Sequence, residues 1–326
     1  MASPSTSISR VEFSTGFHEF DLAAGQAGFI GPACLRPHAV SQKSGSIGQV
    51  PVEQLLQERE TKRAPRSGYS RGNFTFGTID FNCVEHGAEE ILDDAELAAY
   101  ADLLDQEAVA AARARDAVLR DFEREVAAAI YDPSVWTGDL TTGVTDEWDD
   151  TENATPIDDV HAAKQTVHDR CGFWPNALVL NQKQFNALQV ADQILDRVAY
   201  GTSGEPSVVT ASTLAQVFGL DRILIGSGTY NSAAEGQSLS VEPIWSDEYA
   251  MVCRVATGND VSEPCLGRSF LWGGDGPAGF DDQTLAVLIE EYREESARGS
   301  IIRARCNWDV VVTLSNAGQL LSNVIS

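Results

Sequence analysis

The stretch Asp93-Asp-Ala-Glu96-Leu-Ala-Ala-Tyr100-Ala-Asp-Leu-Leu104-Asp-Gln-Glu-Ala108-Val-Ala-Ala111-Ala-Arg-Ala-Arg-Asp-Ala-Val118-Leu-Arg-Asp-Phe122-Glu-Arg-Glu-Val126-Ala-Ala-Ala-Ile130-Tyr-Asp-Pro133 contains no glycine or proline before its last residue. Asp93-x-x-Glu96 has the form of a capping box, in which a side-chain acceptor satisfies the first free N–H groups of a helix. Leu97, Leu104, Ala108, Ala111, Val118, Phe122, Val126 and Ile130 recur at helical spacing. The pattern predicts one unbroken helix, roughly 55 Å long at about 1.5 Å rise per residue. Its alanine-rich middle permits another layer of structure to approach closely.

The flanks of this helix differ from it and from each other. Residues 1–37 mix glycine and proline with no sustained period and read as an extended arm. Within 38–91, His38–Ser41 and Asn73–Phe81 look like strands, the second with Phe74, Phe76, Ile79 and Phe81 apolar. The polar span between them reads as a large extended hairpin. Downstream, residues 132–159 are acidic and loop-like, with no Lys or Arg. An α/β alternation follows. Thr155-Pro156 opens a helix that Gly172 closes, and Ala177–Leu180 is a buried strand followed by a helix around Gln184–Val190. Ser212 is read as the cap of Thr213–Phe218, Gly219 as its end, and Arg222–Gly226 as the next strand. Thr284–Glu294 and Ser300–Leu314 are two long strand candidates joined through Ala297-Arg298-Gly299.

Composition bounds the function. The 326 residues are 43% hydrophobic and 22% charged, which excludes wholesale disorder and suggests two or so compact units. Forty-eight Asp and Glu against 23 Lys and Arg leave a net charge of −25, so a sequence-reading DNA binder is not expected. No apolar run approaches the ~20 residues a membrane helix needs. Met1–Arg10 has neither the basic nor the apolar region of a secretion signal, so a protein made and kept in a cytoplasm is expected. The six cysteines include no C-x-x-C pair and read as reduced, packed thiols.

Catalytic patterns are sparse. The chain has no G-x-x-x-x-G-K-[ST], H-E-x-x-H or G-x-S-x-G. Gly226-Ser-Gly228-Thr-Tyr-Asn231 imitates a dinucleotide loop but has Asn at its third glycine position, and reads as a loop at a strand end. His161 and His168 are two helical turns apart, roughly 10 Å, too far to share one metal ion. Cys171 beside His168 has no acid or oxyanion-hole signature to make it a nucleophile. The run Asp146-Glu147-Trp-Asp149-Asp150-Thr-Glu152 lacks the ligand spacing and central glycine of a calcium loop, and reads first as a solvated acidic face. No cofactor, metal site or enzymatic activity is expected.

One charge feature stands out. Between residues 36 and 71 lie seven basic residues (Arg36, Lys43, Arg59, Lys62, Arg63, Arg66, Arg71) against three acidic ones (Glu53, Glu58, Glu60). A positive hairpin thus projects from a negative body. It is either a solvated loop or an arm that docks on a neighbour's acidic surface, with Asp146, Glu147, Asp149, Asp150 and Glu152 as the candidate counterpart.

The order of arm, basic hairpin, long helix, α/β unit and closing strands resembles tailed-phage major capsid proteins of the Hong Kong 97 type. Pro37-His-Ala-Val-Ser-Gln-Lys43-Ser-Gly45 is similar to that family's lead-in to its extension loop, and Ile79-Asp-Phe-Asn-Cys83-Val-Glu-His86 to the exit toward its spine helix. Gly172-Phe-Trp-Pro175-Asn176-Ala-Leu-Val-Leu180-Asn181 is similar to an axial-domain strand and turn. Ile225-Gly-Ser-Gly-Thr-Tyr230-Asn231, with Ile244-Trp245 after it, resembles the later axial strand and loop, and Ala317-Gly-Gln-Leu-Leu321 a closing segment. The resemblance spans roughly residues 30–326.

It implies an α+β capsid fold: an N-terminal arm (1–37), an extension loop (38–91), a peripheral domain with a spine helix (92–155), an axial domain (156–265) and peripheral strands with a closing segment (266–326). It further implies self-assembly as hexamers and pentamers into an icosahedral shell around double-stranded DNA, without sequence-specific binding and without a membrane. Assembly in a bacterial host cytoplasm is expected, with portal and scaffolding proteins, and in some members decoration proteins, as partners; the first ~30 residues are short for a fused scaffolding domain. An encapsulin-like compartment shares the same pattern. A small cytosolic hydrolase using Cys171 or the acidic run is the alternative of a different class.

Overall fold

The computed structural model describes residues 21–73, 75–100, 105–201, 209–234, 236–274, 285–296 and 298–325. In chain order the elements are α1 (Leu22–Gln26), α2 (Gly31–Cys34), β1 (Pro37–Val40), β2 (Ser44–Gln49), α3 (Val52–Leu55), β3 (Gly77–Asn82), β4 (Val84–Asp93), α4 (Asp94–Tyr100) and α5 (Gln106–Tyr131). Then come β5 (Thr141–Gly143), α6 (Pro156–Cys171), β6 (Ala177–Asn181), α7 (Gln182–Val190), α8 (Asp192–Gly201), α9 (Ala211–Phe218), β7 (Arg222–Gly226), β8 (Thr229–Asn231) and β9 (Val241–Pro243). The chain finishes with β10 (Ala250–Cys253), β11 (Gly267–Trp272), β12 (Leu288–Glu294), β13 (Gly299–Val312) and β14 (Gly318–Ser322).

The helix expected to be continuous is two. Asp93 Oδ1 accepts from Ala95 N at 2.7 Å and starts α4, while Asp105 accepts from Ala108 N at 3.1 Å and starts α5. The cause lies in Asp105 itself. A short carboxylate competes with the backbone inside a helix and is at its best as an N-cap, so this second Asp restarts the helix. Helix α5 is therefore about 39 Å long, not 55 Å; Leu104 falls outside the described residues. Ala110, Ala114, Val118, Phe122, Val126 and Ile130 form its buried stripe. Small residues come first, so Ala110 packs close to Leu92 and Ile302, and Phe122 sets its edge against the Trp308 ring 5.4 Å away.

Two five-stranded sheets carry the rest. The first is organised on the long β13, which pairs with β12 through Gly299–Arg305, with β4 through Gly299–Trp308 and with β11 through Trp308–Val312; β1 adds to β11 in parallel. The second runs β5-β14-β10-β6-β7. Its alternating side chains face two cores. Ala177, Val179, Met251, Cys253 and Leu320 join α5 in one, while Leu178, Leu180, Val252 and Leu321 meet Val160, Leu188, Leu214 and Phe218 of the helices in the other.

This topology moves several expected boundaries. Strand β14, expected as a closing segment among peripheral strands, runs between β5 and β10 of the second sheet, and β5 itself comes from the span read as peripheral. Strands β1 and β4 belong to the first sheet rather than to a projecting hairpin, because their partners are β11 and β13. The local text of a strand does not say which distant strand it will pair with. The cap of α9 is Thr210, which accepts from Thr213 N at 3.3 Å, not Ser212. Gly172 does end α6, in the left-handed region at φ +76°.

Candidate assembly interface

The projecting part of the loop is built in three stages. Its root is the β2–β3 ladder, Ser44–Gln49 against Gly77–Asn82. Phe81 anchors that root by stacking on Phe270 of the body, ring centroids 4.9 Å apart. Next is a clasp: Gln54 Nε2 donates to Thr75 Oγ1 at 2.6 Å, and Thr75 N donates to Gln54 Oε1 at 2.7 Å. Beyond the clasp lies the tip, residues 57–73, with Arg59, Lys62, Arg63, Arg66 and Arg71 against Glu58 and Glu60. The strand read at Asn73–Phe81 begins only at Gly77, since a clasp replaces the ladder above it; Phe74 lies outside the described residues.

None of the tip's five basic residues, nor Lys43, forms an ion pair within the described residues of the chain. Lys43 lies 5.4 Å over the Trp272 ring and Arg63 4.8 Å over Tyr69. The loop also displays apolar surface. Leu55 is 68% exposed, Leu56 66%, Tyr69 73% and Phe76 71%. Leu56 is nevertheless placed, its Cδ1 lying 2.7 Å from where a side chain at Gly172 would begin.

The acidic run is no loose loop. Trp148 is fully buried, donates from Nε1 to Asp159 Oδ2 at 3.1 Å and from its backbone N to Val324 O at 2.8 Å. That anchor holds Asp146, Glu147, Asp149, Asp150 and Glu152 on the surface, with no cation paired to any of them among the described residues. Asp150 is held below the usual carboxylate range by hydrogen bonds from Asn153 and Glu152 N. Glu147 helps line a cleft of about 640 Å³, together with Glu242, Asp247, Glu248, Ile244 and Ile325. Tyr230 and Ser232 donate to Glu242 and keep it ionised to lower pH, and Lys183 pairs with Asp247. The basic tip and the acidic run are thus both present and both unneutralised, and within one subunit the structure does not pair them.

The arm is fixed by a residue that pattern reading passed over. Glu123 of α5 is 0% exposed and takes three donors: Ile30 N at 2.7 Å and Trp245 Nε1 at 2.7 Å on Oε1, Gly31 N at 2.6 Å on Oε2. Burial pushes its carboxyl above the ordinary value, against the pull of those three donors. The signal was a carboxylate inside the apolar stripe, between Phe122 and Val126.

The weighed catalytic candidates have other roles. His168 stacks on Trp174 with centroids 4.3 Å apart, and Cys171 is buried with Sγ 2.9 Å from Val167 O. Burial raises the Cys171 thiol, the reverse of what a nucleophile needs. Cys253 is pushed up to about 12 by the same cause. The Gly226–Asn231 loop serves packing, with Ser227 N donating to Gly28 O of the arm at 3.1 Å. Among the described residues no group of three or more His, Cys, Asp or Glu side chains could hold a metal ion, and no helix is long and apolar enough to cross a membrane.

No protein-family model and no curated protein matches the sequence. Solved structures do match, along nearly the whole chain. A phage-related protein from Bordetella bronchiseptica RB50 superposes with a TM-score of 0.65 at 21% identity, covering 93% of this chain and 96% of that one. The capsid of the cyanophage P-SCSP1u gives 0.56 at 12% identity, covering 88% and 85%. A holo-encapsulin complex from Synechococcus elongatus gives 0.53 at 11% identity, covering 94% and 96%. The chain has the α+β fold of Hong Kong 97-type major capsid proteins.

Proposed function

We propose that the protein is the repeating shell subunit of a tailed double-stranded-DNA phage, assembling as hexamers and pentamers into an icosahedral capsid. The observation that carries this reading is the loop. It carries four large, mostly exposed apolar side chains and five basic ones that form no ion pair among the described residues. Burying such a side chain contributes about 1.5–3 kcal/mol, so a neighbouring copy that covers this surface is stabilised by several of them at once. A contact between unlike surfaces of identical subunits builds rings when the rotation closes, and repeated rings build a closed shell.

The work done is geometric. The Glu123 clamp ties Ile30 and Gly31 to α5, Gln26 ahead of them donates to Asp116 of the same helix, and Phe81 stacks the loop root on Phe270 of the first sheet. Portal and scaffolding proteins are the expected partners, and the packaged DNA is confined rather than read, since the body's charge of −25 opposes phosphate. Expression of the chain with negative-stain imaging and sedimentation tests the reading: closed particles support it, and a monomer across protein concentration and salt refutes it. Near-complete coverage of an encapsulin favours, as a second reading, a shell that encloses protein cargo. Nuclease-resistant DNA in particles recovered from a phage lysate separates the two.

A further inference from the structure

We propose that the cleft between Glu147 and the Ile244–Glu248 segment is the acceptor for the basic loop tip of a second copy of this chain. The inference rests on the shell-subunit reading and adds to it the surface that the loop meets. Charge is the first argument. Glu147, Glu242, Asp247 and Glu248 line the cleft, with Lys183 the one cation paired into it among the described residues, for a net charge of −3. The tip, residues 57–73, carries a net +3. Among the described residues each surface keeps a net charge that its own chain does not cancel, so association relieves both.

Shape and apolarity are the second argument. The cleft, about 640 Å³, has Pro243, Ile244 and Ile325 in its lining. The β8–β9 hairpin that walls it exposes Leu239 (72%) and Val241 (59%). The loop brings Tyr69 and Phe76, 73% and 71% exposed. An apolar centre with charged groups around it is the usual anatomy of a protein interface.

Placement is the third. The cleft lies at the N-terminal end of α6, because Thr145 and Trp148, on either side of Glu147, both bond Asp159 in its first turn. The stretch of loop just beyond the clasp lies at the other end, where Leu56 sits against Gly172. The sixteen residues of α6 put about 24 Å between that point and the cleft of the same chain. Unlike patches at opposite ends of one subunit make a head-to-tail contact, the kind that generates closed rings.

The test uses full-length chains. One carries Ser67→Cys at the tip, a second Glu147→Cys at the cleft, and a third Asp169→Cys as a control near the far end of α6. Five of the six native cysteines are buried, and wild-type chain measures the background of the sixth. Mixing the first two under mild oxidation should give an intermolecular disulfide well above that from the first and third. An equal yield from the control pair overturns the proposal. So does a disulfide that forms only when both substitutions are in one chain, which would mean that the loop folds onto its own cleft.

Charge exchange gives the second readout. Glu147→Lys with Glu248→Lys should lower particle yield about tenfold or more, because like charges then face each other. Adding Lys62→Glu and Arg66→Glu to that variant should restore it, an outcome that misfolding cannot produce. If the tip reversal alone blocks particles while the cleft reversal does not, the shell reading stands and this acceptor is wrong. If wild-type chain forms no particles, the shell reading fails, and the cross-linking result still decides the acceptor between copies.

Discussion

Replacing Glu123 should loosen the joint between arm, spine helix and second sheet, and the geometry sets the scale. Three donors lose their acceptor in Glu123→Ala: Ile30 N, Gly31 N and Trp245 Nε1. A buried donor left without a partner costs about 1–3 kcal/mol, a gross loss of roughly 3–9 kcal/mol for the three. Against this stands the relief of removing a fully buried carboxylate, whose desolvation shows in its raised pKa. A net destabilisation of about 3–5 kcal/mol is expected, the range for breaking a buried charged network. Glu123→Gln should cost less, about 1–3 kcal/mol, since the amide oxygen can keep Ile30 N and Trp245 while its NH₂ abuts Gly31 N. Urea unfolding of unassembled subunit, followed by tryptophan fluorescence, measures both. The pH dependence has a definite sign. A folded pKa above the unfolded one means that the native state holds the proton more tightly, so this group's contribution falls as pH rises from the ordinary Glu value through the raised one. Glu123→Gln should remove that decline. A Glu123→Ala change within about 0.5 kcal/mol of wild type, the level of a neutral surface substitution, would refute the clamp.

Phe122→Ala should destabilise the subunit by about 3–5 kcal/mol, since the side chain is 1% exposed and edges onto Trp308; a calorimetric midpoint checks it. Gly172→Ala should cost about 1–2 kcal/mol for the left-handed backbone alone. It should also push Leu56 off its seat, which would show as faster tryptic cutting of the loop at unchanged body stability after the urea midpoint is matched. Changing Arg59, Lys62, Arg63 and Arg66 together to Glu should block particle formation in light scattering, while single Ala changes stay mild because exposed ion pairs are worth only about 0–1 kcal/mol each.

What the sequence made legible follows from how local each signal is. The α5 stripe from Val118 onward, the Gly172 stop and the strands β12 and β13 were readable because each depends on neighbours a few residues apart; nearer its start the helix buries Ala110 and Ala114, whereas the expected Ala108 is exposed. The break at Asp105 was also local, but the surrounding helical text outweighed a single carboxylate. Sheet membership was not legible: β14 pairs with β5 across more than half the length of the chain, and nothing in Gly318–Ser322 names that partner. The same holds for Glu123, whose donors Ile30, Gly31 and Trp245 lie about 90 and 120 residues away in the chain. The basic tip could be found by counting charges, whereas the cleft could not, since Glu147, Glu242 and Glu248 meet only after folding.

Charge then acts on two length scales, and their competition explains why so acidic a subunit carries a basic loop. With a net charge of −25, two bodies repel over the whole approach. At about 0.1 M salt that repulsion is screened beyond roughly 10 Å, so it acts mainly between surfaces already close to contact. There the tip is the exception, a concentrated positive patch at the end of a clasped loop that reaches ahead of the body. In the proposed assembly the first favourable encounter would therefore be tip to acid, selecting one approach out of many. Burial of exposed apolar residues such as Tyr69 would follow in that orientation and supply the energy that exposed ion pairs lack. On that proposal register comes from charge and strength from burial, so a variant that keeps only one of the two should not close a shell.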